Sequence, residues 1–210
     1  MTSEKQPVTG IILAGGKNLR FGRVKTLEKL GGTTVFERVI DRLSPVVSNF
    51  VIVTAAGSNV LPSVVNSQIV HDIYPEAGPL GGIFTGLTFS QTSVSIIVAS
   101  DMPFLSTPLL HHLLEVSNGF DAVIPRTRGG LIEPLHAVYS RSCLPVMKRL
   151  LDSRELGVRK VLDEVKVRYV EEEEYRRFDP LLLSIFNINR PADFEEAVKI
   201  AANEQKGALP

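Results

Sequence analysis

Short apolar, β-branched runs alternate along this chain with longer segments whose apolar residues recur at helical spacing. Val8–Leu13, Asn49–Thr54, Gln68–His71 and Val94–Ala99 read as strands, separated by helices at Thr34–Leu43, Leu80–Ser90 and, weakly marked, Ser58–Val65. In the Thr34 helix Val35, Val39, Ile40 and Leu43 share one face, with Glu37, Arg38, Asp41 and Arg42 elsewhere. Nearly continuous apolar strands suit a parallel sheet covered on both faces. The strand–helix–strand rhythm of the first hundred or so residues predicts a doubly wound α/β sheet.

Beyond it, Ser106-Thr107-Pro108 opens a helix that stops near Asn118-Gly119, an N-cap with an early Pro and a Gly-type ending. Strands are expected at Asp121–Pro125, Ile132–Tyr139, Val167–Val170 and Leu183–Asn187, and helices at Cys143–Leu151, Gly157–Glu164 and Pro191–Ala202. Without a repeat or linker the chain reads as one domain over residues 8–203, with a flexible amino end (1–7) and a tail (204–210). The acidic run Glu171–Glu174 reads as a solvated edge or turn.

Composition narrows the class. The 210 residues carry 23 Lys+Arg against 23 Asp+Glu, which argues against a nucleic-acid binder held by bulk charge. A single cysteine, Cys143, cannot form an internal disulfide and fits a reducing compartment. The apolar runs Ile11–Ala14 and Ile96–Ala99 fall far short of the roughly 18 residues of a membrane span. Met1–Pro7 has no signal core. A soluble, cytoplasmic protein with no membrane or nucleic-acid partner is expected.

The informative stretch is Leu13-Ala14-Gly15-Gly16-Lys17-Asn18-Leu19-Arg20-Phe21-Gly22-Arg23-Val24-Lys25, directly after the first strand. It lies at the carboxyl edge of the expected sheet, where open α/β folds bind ligands. Its glycines allow close backbone approach, and consecutive free N–H groups can cradle an anion. Lys17, Arg20, Arg23 and Lys25 add charge: residues 1–42 hold eight Lys/Arg against four Asp/Glu. The GxxxxGK[ST] loop fails because Gly16 occupies its lysine position, and GxGxxG is absent from this turn. A phosphate loop and a generic glycine turn with surface basics both stay open on these residues alone.

Asp101, in Val98-Ala99-Ser100-Asp101-Met102-Pro103, follows another apolar strand and is placed to hold a hard cation or to cap a turn. Asp72 ends a further strand, and Gly78-Pro79-Leu80-Gly81-Gly82 follows it. Those glycines suit either close approach to a base or sugar, or tight helix–sheet packing. Asn187 and Asn189 would share one face of a strand, reading a polar acceptor or bracing the turn into the last helix. His111 and His112 diverge on a helix and are expected exposed; His136 and Cys143 are expected as packing residues. Neither zinc-ligand spacing nor G-x-S-x-G occurs.

Leu-Ala-Gly-Gly-x-x-x-Arg-Phe-Gly-x-x-Lys resembles the signature of nucleotidyltransferases, and within that superfamily the molybdenum cofactor guanylyltransferase family. The resemblance runs from Gly10 to about Ala197 through five motifs in order, including Glu133–Tyr139 and Phe186–Phe194. Asn18, Phe21, Ser100 and Arg190 depart from the common residues, while Arg20, Gly22 and Lys25 keep their places. The resemblance implies a three-layer α/β/α Rossmann-like nucleotidyltransferase fold with a mostly parallel sheet. It also implies an enzyme that transfers GMP from GTP to molybdopterin or Mo-molybdopterin, releasing pyrophosphate. Leu13, Ala14, Gly15, Gly16, Arg20, Lys25, Asp72, Gly78 and Asp101 would meet the nucleotide. Lys25, Arg20 and Asp101 would be catalytic, Asp101 would carry Mg2+, and Asn187 and Asn189 would face the acceptor. Cofactor-synthesis proteins and apo-molybdoenzymes are the implied transient partners.

The rival molybdopterin cytidylyltransferases usually carry Ala-Ala-Gly where Ala14-Gly15-Gly16 stands, so Gly15 favours the larger purine. Sugar-1-phosphate nucleotidyltransferases share the loop but lack the Asn187-Ile188-Asn189 element. A non-enzymatic nucleotide-binding partner protein would be expected to lose Asp101 or Lys25, and both are present.

Overall fold

The computed structural model describes residues 6–15, 25–56 and 61–206, with backbone alone at Lys25 and Gln205. A seven-stranded sheet runs in the order β5-β4-β1-β6-β8-β7-β9. Its strands are β1 (Thr9–Leu13), β4 (Asn49–Thr54), β5 (Ser67–His71), β6 (Val94–Ala99), β7 (Ala122–Arg126), β8 (His136–Ser140) and β9 (Val167–Glu171). Only β8 runs against the rest, pairing antiparallel with both β6 and β7. The sheet is therefore mostly parallel, as expected. A two-stranded hairpin, β2 (Lys29–Leu30) with β3 (Thr33–Thr34), turns at Gly31 and Gly32, whose φ values are +62° and +102°.

Side chains alternate across the sheet, as a two-residue period requires. Ile11, Leu13, Val53 and Ile97 pack in a core with residues of α2 (Gly78–Phe89), α4 (Leu144–Asp152) and α5 (Val158–Leu162). Ile12, Ile52, Ile96 and Val98 pack on the other face with residues of α1 (Val35–Leu43), α3 (Thr107–Glu115) and α6 (Glu172–Tyr175). Three layers result. No helix among the described residues is long and apolar enough to cross a membrane.

Local chemistry sets the helix ends. Thr34 and Glu37 form a reciprocal capping box at α1, with Glu37 N–H donating to Thr34 Oγ1 at 3.1 Å and Thr34 N–H to Glu37 Oε2 at 2.7 Å. Ser106 caps α3 through the Leu109 N–H, as its sequence predicts. In α2 the glycines at 81, 82 and 86 face neighbouring backbone or side chains: a Cβ at Gly86 would lie 2.3 Å from Ile11 Cγ2. Helix–sheet packing therefore accounts for Gly86. We expect Gly86→Ala to destabilise the fold by about 1–3 kcal/mol through overpacking, read from urea unfolding midpoints.

Several expectations change. The helix at Ser58–Val65 is not formed over residues 61–65, and residues 58–60 lie outside the described set. The Ile132–Tyr139 strand shrinks to β8, because the chain turns at Glu133-Pro134 after a single bridge between Ile132 and Arg126. Leu183–Asn187 is no strand: Leu182 sits at φ +56°, and the buried Asp179 carboxylate accepts from Leu183 N–H and Ser184 N–H, folding a tight turn. The last helix, α7 (Pro191–Gln205), extends past Ala202, so Glu204 is helical and pairs with Arg38 and Arg42 at 2.8 and 3.0 Å. The acidic run is no bare solvated edge. Glu171 pairs with Arg126, Glu173 with Arg128, Glu172 with Arg176, and Glu174 with both Arg168 and His112. His112, expected exposed, is half-buried and stacks on Phe178 at 4.3 Å.

Candidate active site

The chain runs outward from β1 through β4 to β5, then returns by α2 to β6 on the opposite side of β1. A topological switch point therefore lies between β1 and β6, and open α/β sheets bind ligands beyond the carboxyl ends at such a point. A cavity of about 490 Å3 opens there.

Register explains its composition. Leu13 pairs with Ala99 in the parallel β1–β6 ladder, so Gly15 and Asp101 each stand two residues beyond a matched pair. Neighbouring strands are about 4.8 Å apart, which sets the two loops side by side. Two further bonds fix how the loops leave: Ser100 N–H donates to Leu13 O at 3.1 Å, and Ala14 N–H to Val53 O at 2.8 Å. Gly15 and Asp101 both line the cavity. Ala14 does not; its side chain packs in the α1–α3 core.

Asp72, half-buried, follows β5 and lines the same cavity. Its Oδ1 accepts from Tyr74 N–H at 2.9 Å, so the loop-capping role open to this residue is real, alongside its place in the wall. Gly78 starts α2 at φ +59°, a conformation an L side chain rarely adopts. The preceding Ala77 supplies no side-chain cap, and Gly78, Pro79 and Gly82 line the cavity, so the positive end of the helix dipole lies at its edge. That arrangement favours an anion.

Asn187 and Asn189 also line the cavity, although no strand holds them. Ile188 between them is 1% exposed and donates its N–H to Asp101 O at 3.0 Å, which ties this segment to the β6 loop. Asn187 Nδ2 donates to Ile185 O, and Asp193 accepts from the N–H groups of Asn189 and Arg190 at the start of α7. Bracing and cavity lining thus coexist.

Of the other expected residues, Gly16, Lys17, Arg20, Arg23 and the Lys25 side chain lie outside the described residues. The segment following Lys25 is placed: Leu30 and Val35 share a core cluster with Phe104 and Ile188, close to Asp101 in sequence or by hydrogen bond. Sequence reasoning missed Ala55, Pro75 and Leu135 in the cavity wall. Ala55 stands just past β4, so the rule that selected Gly15 and Asp101 would have found it.

Beside Leu135, His136 is fully buried, and neither ring nitrogen has a hydrogen-bond partner among the described residues. Burial pushes its pKa down from 6.5 to about 4 and keeps the ring neutral. Burial likewise raises Glu133, and lifts Tyr175 and Cys143 each to about 12. Between pH 6.5 and 4 the unfolded chain protonates at this histidine and the folded chain does not. The stabilisation is thus complete above pH 6.5 and lost as pH falls towards 4. Replacing His136 by Leu should remove about 3 kcal/mol of the stability difference between pH 7 and pH 4, measured by urea unfolding of both proteins.

Residues 10–171 match the MobA-like NTP transferase domain family. The chain is 33% identical over 201 residues to a probable molybdenum cofactor guanylyltransferase of Pelotomaculum thermopropionicum, covering 96% of this chain and 97% of that one. It is 36% identical to a molybdenum cofactor guanylyltransferase of Desulfosudis oleivorans, covering 90% and 94% respectively. The crystal structure of molybdopterin-guanine dinucleotide biosynthesis protein A from Archaeoglobus fulgidus superposes with a TM-score of 0.80 at 30% identity, over 93% of this chain and 100% of the other. The family match, the sequence identities and the superposition agree, and the chain belongs to the MobA-like NTP transferase family as a nucleotidyltransferase of the molybdenum cofactor guanylyltransferase type.

Proposed function

We propose that this enzyme transfers GMP from GTP to the terminal phosphate of molybdopterin, its molybdenum-bearing form included. An acceptor phosphate oxygen bonds to the α-phosphorus, the α–β bridge breaks, and pyrophosphate leaves. The observation that carries the reading is the in-register exit of Gly15 and Asp101 from adjacent parallel strands into one cavity.

Magnesium fits this site. The cavity wall carries the carboxylates of Asp101 and Asp72 and leaves room for phosphates, and one or two carboxylates completed by phosphate and water oxygens are the donor set Mg2+ prefers. Asp101 would hold the ion, which when bound neutralises charge on the phosphate oxygens. The start of α2, where Ala77 supplies no side-chain cap, favours an anionic ligand at the cavity edge. Arg20 and Lys25 would supply the positive charge that the described lining lacks. Asn187 and Asn189 offer amides to the acceptor. The acceptor oxygen is already anionic, so positioning and charge stabilisation suffice without a strong general base.

Gly15 supports guanine. An added Cβ there would meet Ala55 N at 3.6 Å and Thr54 C at 3.8 Å, ordinary contacts that the fold tolerates. The room is therefore left for a ligand. Pyrophosphate release with Mg2+, with and without molybdopterin, for GTP, CTP, ATP and UTP tests the reading. GTP should lead and turnover should require the acceptor; binding without turnover would favour a nucleotide-binding partner protein. In the same assay Gly15→Ala should keep its thermal stability, while kcat/KM for GTP falls about tenfold or more relative to CTP.

A further inference from the structure

Thr85 carries a fully buried hydroxyl in the middle of α2, and its partners are the Asp72 carboxylate and the Ile73 N–H. Its Oγ1 donates to Asp72 Oδ1 at 2.8 Å and accepts from Ile73 N–H at 3.0 Å. Asp72 Oδ1 takes a second bond from Tyr74 N–H at 2.9 Å. One carboxylate oxygen is thus held by two donors from two directions, which fixes the plane of the group in the cavity wall.

Asp72 stands three inter-strand steps from Asp101, roughly 14 Å across the sheet edge. A metal–phosphate centre at Asp101 therefore leaves Asp72 near the nucleoside end of the ligand. A carboxylate there accepts hydrogen bonds only, so it selects N–H or O–H donors of a base or ribose.

We propose that Thr85 is a positioning residue for nucleoside recognition: it clamps Oδ1 and presents Oδ2 of Asp72 to those donors. The inference rests on the reading of Asp72 as a nucleoside contact. Thr85 acts before chemistry, so its loss weakens binding without slowing the transfer step.

The test is steady-state kinetics and thermal unfolding of the full chain bearing Thr85→Val, Thr85→Ser, Asp72→Asn and the Asp72→Asn/Thr85→Val pair. Thr85→Val should raise the KM for GTP about tenfold with kcat within about twofold, and Thr85→Ser should restore it. The pair should be no worse in KM than Asp72→Asn alone, as expected when one residue acts through the other. Inosine triphosphate and 2′-deoxy-GTP locate the donor: the analogue lacking it should lose its sensitivity to Thr85→Val. A lowered melting temperature with unchanged KM in Thr85→Val, while Asp72→Asn raises KM, would reduce Thr85 to a brace and overturn the proposal alone. An unchanged KM in Asp72→Asn would overturn the nucleoside contact itself, and this proposal with it.

Discussion

Asp101→Ala is expected to abolish nucleotidyl transfer, with turnover falling to about 10⁻³ of wild type or lower. The size follows from the role: a metal held against a transferring phosphoryl group contributes several kcal/mol, and each 1.36 kcal/mol is tenfold in rate. What Asp101 gives the architecture through its carbonyl, the 3.0 Å bond from Ile188 N–H, survives the substitution. Thermal unfolding of the variant shows whether the turnover lost is that of a folded protein. Single-turnover pyrophosphate release over a range of Mg2+ concentrations reads the transfer step. Substantial turnover in the folded variant would refute the metal assignment.

Lys25→Ala should lower kcat by about 10²–10³, the scale on which loss of one preorganised charged donor acts at a developing oxyanion. Its neighbourhood supports an intact fold, since Thr26 is 1% exposed and Leu30 is fully buried in the cluster with Phe104 and Ile188. In the proposed role the lysine acts on charge that grows during transfer, so kcat should fall more than KM rises. Kinetics with GTP and molybdopterin separate the two parameters. A pure KM effect would place Lys25 on the ground-state triphosphate instead.

The half of the sheet that builds the site was legible because its chemistry is local. Apolar runs of five or six residues announce β1, β4 and β6, and parallel strands in register send their following residues to one edge whatever the rest of the chain does. Gly15, Asp72 and Asp101 fall out of that rule. The direction of β8 was not legible, since an apolar strand reads alike in either orientation and only the turn at Glu133-Pro134 sets it. Leu183–Asn187 has strand-forming residues, yet the buried Asp179 carboxylate captures its backbone donors. The partners of Glu171 and Glu173 lie 45 residues away, a separation that no window on the sequence spans. Asn187 and Asn189 reached the cavity by a different route from the one expected: burial of Ile188, rather than strand pairing, directs both sides of it.

A crystal structure of the enzyme with GTP and magnesium addresses the proposed site most directly. The ion should sit on Asp101, the phosphates in the β1–β6 crevice, and the guanosine end between Gly15 and Asp72. A triphosphate seated away from the β1–β6 crevice, or an ion that leaves Asp101 uncoordinated, would contradict it.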